Sequence, residues 1–128
     1  MYLGNKQSSE SAIYHYSKNV KRRKALAKEV TQLTEKALSD KTLKEFMNTM
    51  NTHEKLLGKE LKMECVKDTR FSDFEGSIKS LGAWGGDFVM IASKMSESET
   101  KAYFADKGYD VFIPYHSMVH NVDIIVPA

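Results

Sequence analysis

Apolar residues recur at helical spacing through the first half of the chain and at strand spacing later on. Residues 2–4 read as the stub of a strand. Ser8 or Ser9 can cap a short helix, with Glu10 and Ser11 in its first turn and Ala12, Ile13 and Tyr16 along its side. From Val20 to Leu38, Leu26, Val30, Leu33 and Ala37 fall on one face of a second helix. Ser39 and Asp40 break it. A third helix is predicted from Lys41 to Leu61, with Leu43, Phe46, Met47, Met50, Leu57 and Leu61 as its apolar stripe. The short break makes the second and third helices an antiparallel pair.

The pattern changes after Lys62. Residues 62–76 read as a loop with a short helical turn around Phe74. Residues 77–83 and 87–93 read as paired strands. In the second, Phe88, Met90 and Ala92 alternate with Val89, Ile91 and Ser93, and both sets are largely apolar. Such a strand needs cover on each face. Ser96 or Ser98 can cap a fourth helix, from about Glu97 to Lys107, with Ala102, Tyr103 and Ala105 as its core face and Gly108 as its stop. Tyr109 to Pro114 reads as a last strand with Val111 and Ile113 inward. The run Val122 to Val126 reads as an edge strand or an unanchored end. This order predicts an α+β layer: an antiparallel sheet with helices segregated to one face, in a single domain over residues 1–128.

Composition narrows the function classes. The hydrophobic fraction of 41% is enough for a core, and 28% charged residues is ordinary. A net charge of +2 is too small to point to nucleic acid or an anionic membrane. Lys18, Lys21, Arg22, Arg23, Lys24 and Lys28 crowd one segment, which reads as a solvated helix face. The lone Cys65 forms no internal disulfide and reads as inert. No apolar run reaches the length of a membrane helix, and the start has no signal-peptide core. A cytoplasmic protein is the expectation. His53 and Glu54 are neighbours on a helix and point about 100° apart, so they are not a metal pair. His53 reads as a half-buried structural histidine. His116 and His120 follow Pro114 in a non-helical stretch, which argues against a metal site there.

The densest cue lies between the two strands. In Lys79-Ser80-Leu81-Gly82-Ala83-Trp84-Gly85-Gly86-Asp87-Phe88, turn residues separate two strand-like runs. Glycine permits positive φ and close approach of a ligand, and successive free N–H groups can form an anion nest. The plainer reading is a hairpin turn. Lys79 faces either an anion or solvent. Trp84 either narrows a pocket or covers the core rim. Asp87 reads as a metal or hydroxyl ligand, or as a turn residue bonding its own backbone.

This string resembles the third signature motif of the GHMP kinases, the superfamily of galactokinase, homoserine kinase, mevalonate kinase and phosphomevalonate kinase. That motif reads roughly Lys-x-Ser/Thr-Gly-Ala-Gly-x-Gly-Gly. Lys79, Gly82, Ala83, Gly85 and Gly86 fall on it in register; Leu81 and Trp84 depart from it. The string looks like the divergent GYDIA-type branch. Similar segments are Tyr2-Leu3-Gly4-Asn5-Lys6-Gln7, His53-Glu54, Phe71-Ser72-Asp73-Phe74 and Gly108-Tyr109. The resemblance spans nearly the whole chain and covers only the C-terminal half of such a kinase.

The resemblance implies a ferredoxin-like α+β domain and a role in ATP- and Mg²⁺-dependent phosphoryl transfer to an alcohol or a phosphate, as in mevalonate kinase. It implies a substrate and phosphate site at Lys79, Gly82, Ala83, Trp84, Gly85, Gly86 and Asp87. No Pro-x-x-x-Gly-Leu-x-Ser-Ser segment and no Walker-type loop occurs here. The expectation is therefore a truncated or split kinase, lacking the N-terminal ATP-binding domain and inactive or nearly so alone. Its partner would be that domain or a small-molecule substrate, not nucleic acid or membrane. The alternative is a non-catalytic α+β module that dimerises or binds a phosphometabolite.

Overall fold

In a computed structural model, residues 1–84 and 86–119 are described. The first helix, α1 (Ser9–Asn19), starts where Ser8 accepts a hydrogen bond from the Ser11 N–H. It ends at Val20, which is fully buried. Val20, Lys21 and Arg22 form a link, so α2 (Arg23–Ser39) begins later than the apolar pattern predicts. Leu26 is buried, and Val30, Leu33 and Ala37 are half-buried along the side that packs on α3 (Leu43–Leu61). Thr42 caps α3 by accepting from Glu45 N–H at 3.1 Å, and Lys62 ends it with a left-handed φ of 55°. Leu43 is exposed, not part of the stripe, because it sits at the helix's free first turn.

The short helix comes earlier than predicted. It is α4 (Val66–Arg70), and Phe71 and Phe74 beyond it enter the core. The strands β1 (Gly76–Ser80) and β2 (Val89–Ser93) pair antiparallel, with Ile78 opposite Ile91 and Ser80 opposite Val89. They are shorter than predicted, so the connection runs from Leu81 to Phe88 and is not a tight turn. Leu81 N–H still donates to Phe88 O at 3.1 Å. The expected strand stub is present as a bridge from Tyr2 to Phe88. Met1 O accepts from Val89 N–H at 2.9 Å, and Tyr2 N–H donates to Val111 O at 3.0 Å.

Beyond the sheet, α5 (Glu97–Asp106) opens with a capping box, Ser96 with Glu99. Its buried residues are Thr100 and Phe104, with Tyr103 half-buried, whereas Ala102 and Ala105 are exposed. The predicted face was rotated by about one residue, because the largest apolar side chain sets the face. The stretch from Tyr109 to Pro114 is not a strand. Phe112, not Val111 or Ile113, packs against the core, so the inward register is the opposite of the predicted one. A single turn, α6 (Tyr115–Met118), follows. The run Val122 to Val126 and His120 lie outside the described residues.

The core cluster joins Phe71, Phe74, Ile78, Val89 and Phe104 with Met1, Leu3 and Val66. Phe104 meets the Phe71 ring edge-on at 5.0 Å between centroids and lies 4.9 Å from Phe74. The two sheet faces have different cover. Ile78 belongs to this cluster, while its neighbour Ser77 donates to Met47 O of α3 at 3.0 Å. The fold is α+β.

Candidate functional site

Helix α3 and the loop from Leu81 to Phe88 position the residues that the sequence singles out. Because Leu81 N–H faces β2, the alternation of an antiparallel ladder turns Ser80 N–H to the outer edge of β1. Glu54 of α3 meets it there. Both carboxylate oxygens accept from Ser80 N–H at 3.0 Å, and one accepts from Ser80 Oγ at 2.8 Å. Glu54 is only 3% exposed. Burial raises its pKa above the ordinary carboxyl value, against the lowering pull of the Ser80 hydrogen bonds and the Lys79 charge. Lys67 Nζ closes the same edge lower down by donating to Gly76 O at 2.6 Å. Together these polar groups blunt an edge that otherwise invites strand addition.

The loop follows directly. Gly82 has a φ of +63°, and a Cβ placed on it meets nothing within 4 Å, so its backbone stands open. Trp84 is buried and packs over α3. A Cβ on Gly58 would sit 3.3 Å from its Cη2, 3.2 Å from Cys65 Sγ and 3.0 Å from Met63 O. Gly58 therefore makes the seat for Trp84. Gly86 is buried for another reason: a Cβ there would lie 2.5 Å from Asn5 O and 3.0 Å from Gln7 N. The backbone of residues 5–7 passes where a side chain would be. Asp87 adopts a φ of +49°, its N–H donates to Asn5 O, and its carbonyl accepts from Leu3 N–H at 2.6 Å.

A cleft of about 690 Å³ lies between this loop, α1 and the end of α3. Gly82, Ala83 and Trp84 form one wall; Glu10, Tyr14 and Tyr16 are on the α1 side. His15 Nε2 meets Leu61 O at 2.6 Å and ties α1 to the C-terminal end of α3. The size suits a small molecule. Among the described residues, the lining contains no Lys or Arg, and Glu10 is its only carboxylate.

The remaining predicted residues lie elsewhere. Lys79 is half-buried, donates to Ser80 O at 3.2 Å and does not line the cleft. Gly85 lies outside the described residues. His53 is half-buried as expected. Its Nδ1 has no hydrogen-bond partner among the described residues, and burial, with Lys79 adding, lowers its pKa. Burial pushes the Cys65 thiol up, and Glu54 and Asp68 add to that. The thiol is therefore the poorly reactive form. Arg22 is held by Glu29 at 2.8 Å and by Glu60, and Arg23 by the carbonyls of Val20 and Ser17, so these two arginines of the basic segment serve the local structure. No group of three His, Cys, Asp or Glu side chains that could hold a metal ion occurs among the described residues. No helix among them is long and apolar enough to cross a membrane.

Sequence reasoning named Glu54 only beside His53 and did not foresee its tie to Ser80, and it missed Gly58 and the α1 wall. Glu54 did carry a signal: it stands in phase with Met47, Met50, Leu57 and Leu61, where an apolar residue is due. Gly58 carried one as well, as a glycine inside an amphipathic helix. Comparison with family models, curated proteins and solved structures gave no match to this chain.

Proposed function

We propose that this chain is the C-terminal domain of a GHMP-type small-molecule kinase, a ferredoxin-like layer that walls an acceptor site and is inactive or nearly so alone. The reaction class is transfer of a phosphoryl group from ATP to an alcohol or a phosphate. The observation that carries the reading is the glycine loop, set between antiparallel strands and bordering a cleft of about 690 Å³. Gly82 leaves its backbone open at that wall. Glu54 holds the root of the loop through Ser80. In this reading the chain shapes and orients an acceptor.

The residues present do not fit ATP or Mg²⁺. Among the described residues, the cleft offers no Lys or Arg to phosphate, Lys79 is directed to a backbone carbonyl, and no metal-ligand cluster occurs. No step through the nucleotide is assigned to this chain; a separate phosphate-binding domain would have to supply its contacts. The same absence weighs against binding of a free phosphometabolite. The dimerising alternative draws on exposed Ile13, Tyr14, Tyr115 and Met118.

The test is the native product in its source cells, by intact mass and by co-purification. The kinase reading expects a polypeptide about twice 14.6 kDa, or a 14.6 kDa chain associated with a partner carrying the Ser-rich phosphate loop. A 14.6 kDa product with no such partner overturns it. A self-associating product of that size supports the dimer.

A further inference from the structure

We propose that the cleft between α1 and the glycine loop binds an organic cation with an aromatic or apolar body, held by Glu10, Tyr14 and Trp84. The inference rests on the cleft being the binding site of the kinase reading, and it does not require phosphoryl transfer.

Charge complementarity points to this ligand class. The chain as a whole is cationic, with 19 Lys and Arg against 17 Asp and Glu, yet among the described residues none of those cations lines the cleft, and Arg23 beside Tyr16 is tied to backbone carbonyls. The cleft's formal side-chain charge is the carboxylate of Glu10, in the first turn of α1. Among the described residues the lining offers an anionic ligand no Lys or Arg to offset that carboxylate, and its one histidine, His15, is engaged with Leu61 O. A cation would meet it favourably, and the remaining lining supplies ring faces and apolar surface. Ring faces carry negative potential and attract ammonium and guanidinium groups.

The chain already uses one ring in this way. The Arg23 guanidinium lies 5.6 Å from the centroid of Tyr16. Arg23 is tethered to the carbonyls of Val20 and Ser17, so Tyr16 is occupied. Tyr14, 70% exposed, and the cleft-facing part of Trp84 remain for a ligand. The reading narrows the acceptor of the proposed kinase to an alcohol that also bears an amine or ammonium group on an apolar frame. Carboxylate- and phosphate-bearing acceptors are disfavoured.

Trp84 is the only tryptophan in the chain, so its emission reports on this cleft. The full chain is titrated with benzyltrimethylammonium, benzyl alcohol and phenylacetate, and heats are measured in parallel. The ammonium is expected to bind about tenfold more tightly than phenylacetate. Glu10→Gln should cut that ratio to about threefold, the part left to the ring faces. Tyr14→Leu should weaken the ammonium several-fold. Both side chains are exposed, and circular dichroism checks that the variants fold. Equal affinity for the ammonium and phenylacetate, a ratio untouched by Glu10→Gln, or no binding of any probe overturns the proposal. Phosphoryl transfer is read separately with ATP, Mg²⁺, a phosphate-loop partner and benzyl(2-hydroxyethyl)dimethylammonium, whose hydroxyl would take the γ-phosphoryl group as ADP leaves. Ammonium binding without transfer keeps this inference and sinks the kinase reading; transfer to an anionic acceptor does the reverse.

Discussion

Replacing Glu54 with alanine should remove a large part of the stability of this domain. Two donors of Ser80, its N–H and its hydroxyl, depend on that carboxylate, and Ser80 is buried. A buried donor left without a partner costs about 1–3 kcal/mol. Two such donors cost roughly 2–6 kcal/mol, and release of a buried carboxylate offsets part of it. The expected loss is about 3 kcal/mol. At a urea m-value near 2 kcal/mol/M for a domain of this size, the midpoint should fall by about 1.5 M. Unfolding is followed by Trp84 emission and by far-ultraviolet circular dichroism.

The pH dependence gives a second, independent reading of the same group. Burial raises the folded pKa of Glu54 above its ordinary value of 4.5, so the native state binds this proton more tightly than the unfolded chain. The stability that follows is fully present below 4.5 and declines as pH rises through the folded pKa. His53 works in the opposite sense. Its folded pKa lies below the ordinary 6.5, so stability is lost as pH falls and the unfolded chain protonates first. Both proteins retain His53, so the difference between the parent and Glu54→Gln isolates Glu54. Lys79, Asp68 and Cys65 are the other titratable groups around it, and they too are common to both. The parent should lose stability relative to Glu54→Gln as pH rises from 4.5. A midpoint change under about 0.3 M for Glu54→Ala, or a flat difference across that range, refutes the reasoning.

Gly58→Ala gains about 1 kcal/mol of helix propensity but places a Cβ 3.0 Å from Met63 O and 3.3 Å from Trp84. The expected result is a net loss near 1 kcal/mol with red-shifted Trp84 emission; a stabilised protein with unchanged emission contradicts the seat assigned to Gly58. Gly86→Ala puts a Cβ 2.5 Å from the backbone oxygen of Asn5 and should cost roughly 2–3 kcal/mol in chemical denaturation; a neutral result shows that residues 5–7 can move aside. The Tyr103 phenol, partly desolvated and donating to Asp73, is pushed up to about 12. Ultraviolet titration should find one late-ionising tyrosine, and Asp73→Asn should move it back toward the ordinary range.

Periodic segments were legible because a single rule governs them. The stripe on α2 and most of that on α3 face inward as spaced, and Ser8 and Ser96 sit at the caps read for them because each offers an oxygen to an otherwise unpaired N–H; the cap of α3 is Thr42, inside the start at Lys41 that the pattern predicts. Failures fall where tertiary contacts choose between equal local options. Val20 could have continued a helix, but its burial pulls the chain into a link. Tyr109 to Pro114 alternates well enough for either register, and Phe112 wins because it reaches the ring of Phe104, 6.4 Å between centroids. The cleft was hardest to foresee. Its α1 wall and its glycine wall are far apart in sequence, and no local pattern records that His15 reaches Leu61 O.

The glycine loop shows why a motif match and a binding surface are different claims. Two of its glycines were read as places for a ligand's close approach, and the structure separates them. At Gly86 the close approach is made by the chain's own backbone at Asn5 and Gln7. At Gly82 the backbone is open, and that wall does face the cleft. Part of the glycine content is thus accounted for by the close passage of the backbone at residues 5–7, before any ligand is invoked. The part that remains is one open glycine beside an aromatic, carboxylate-bearing cleft. Substitutions at the two positions should therefore differ in kind: a side chain at Gly86 acts on folding, whereas an added Cβ at Gly82 meets free space and acts through its positive φ and through what enters the cleft.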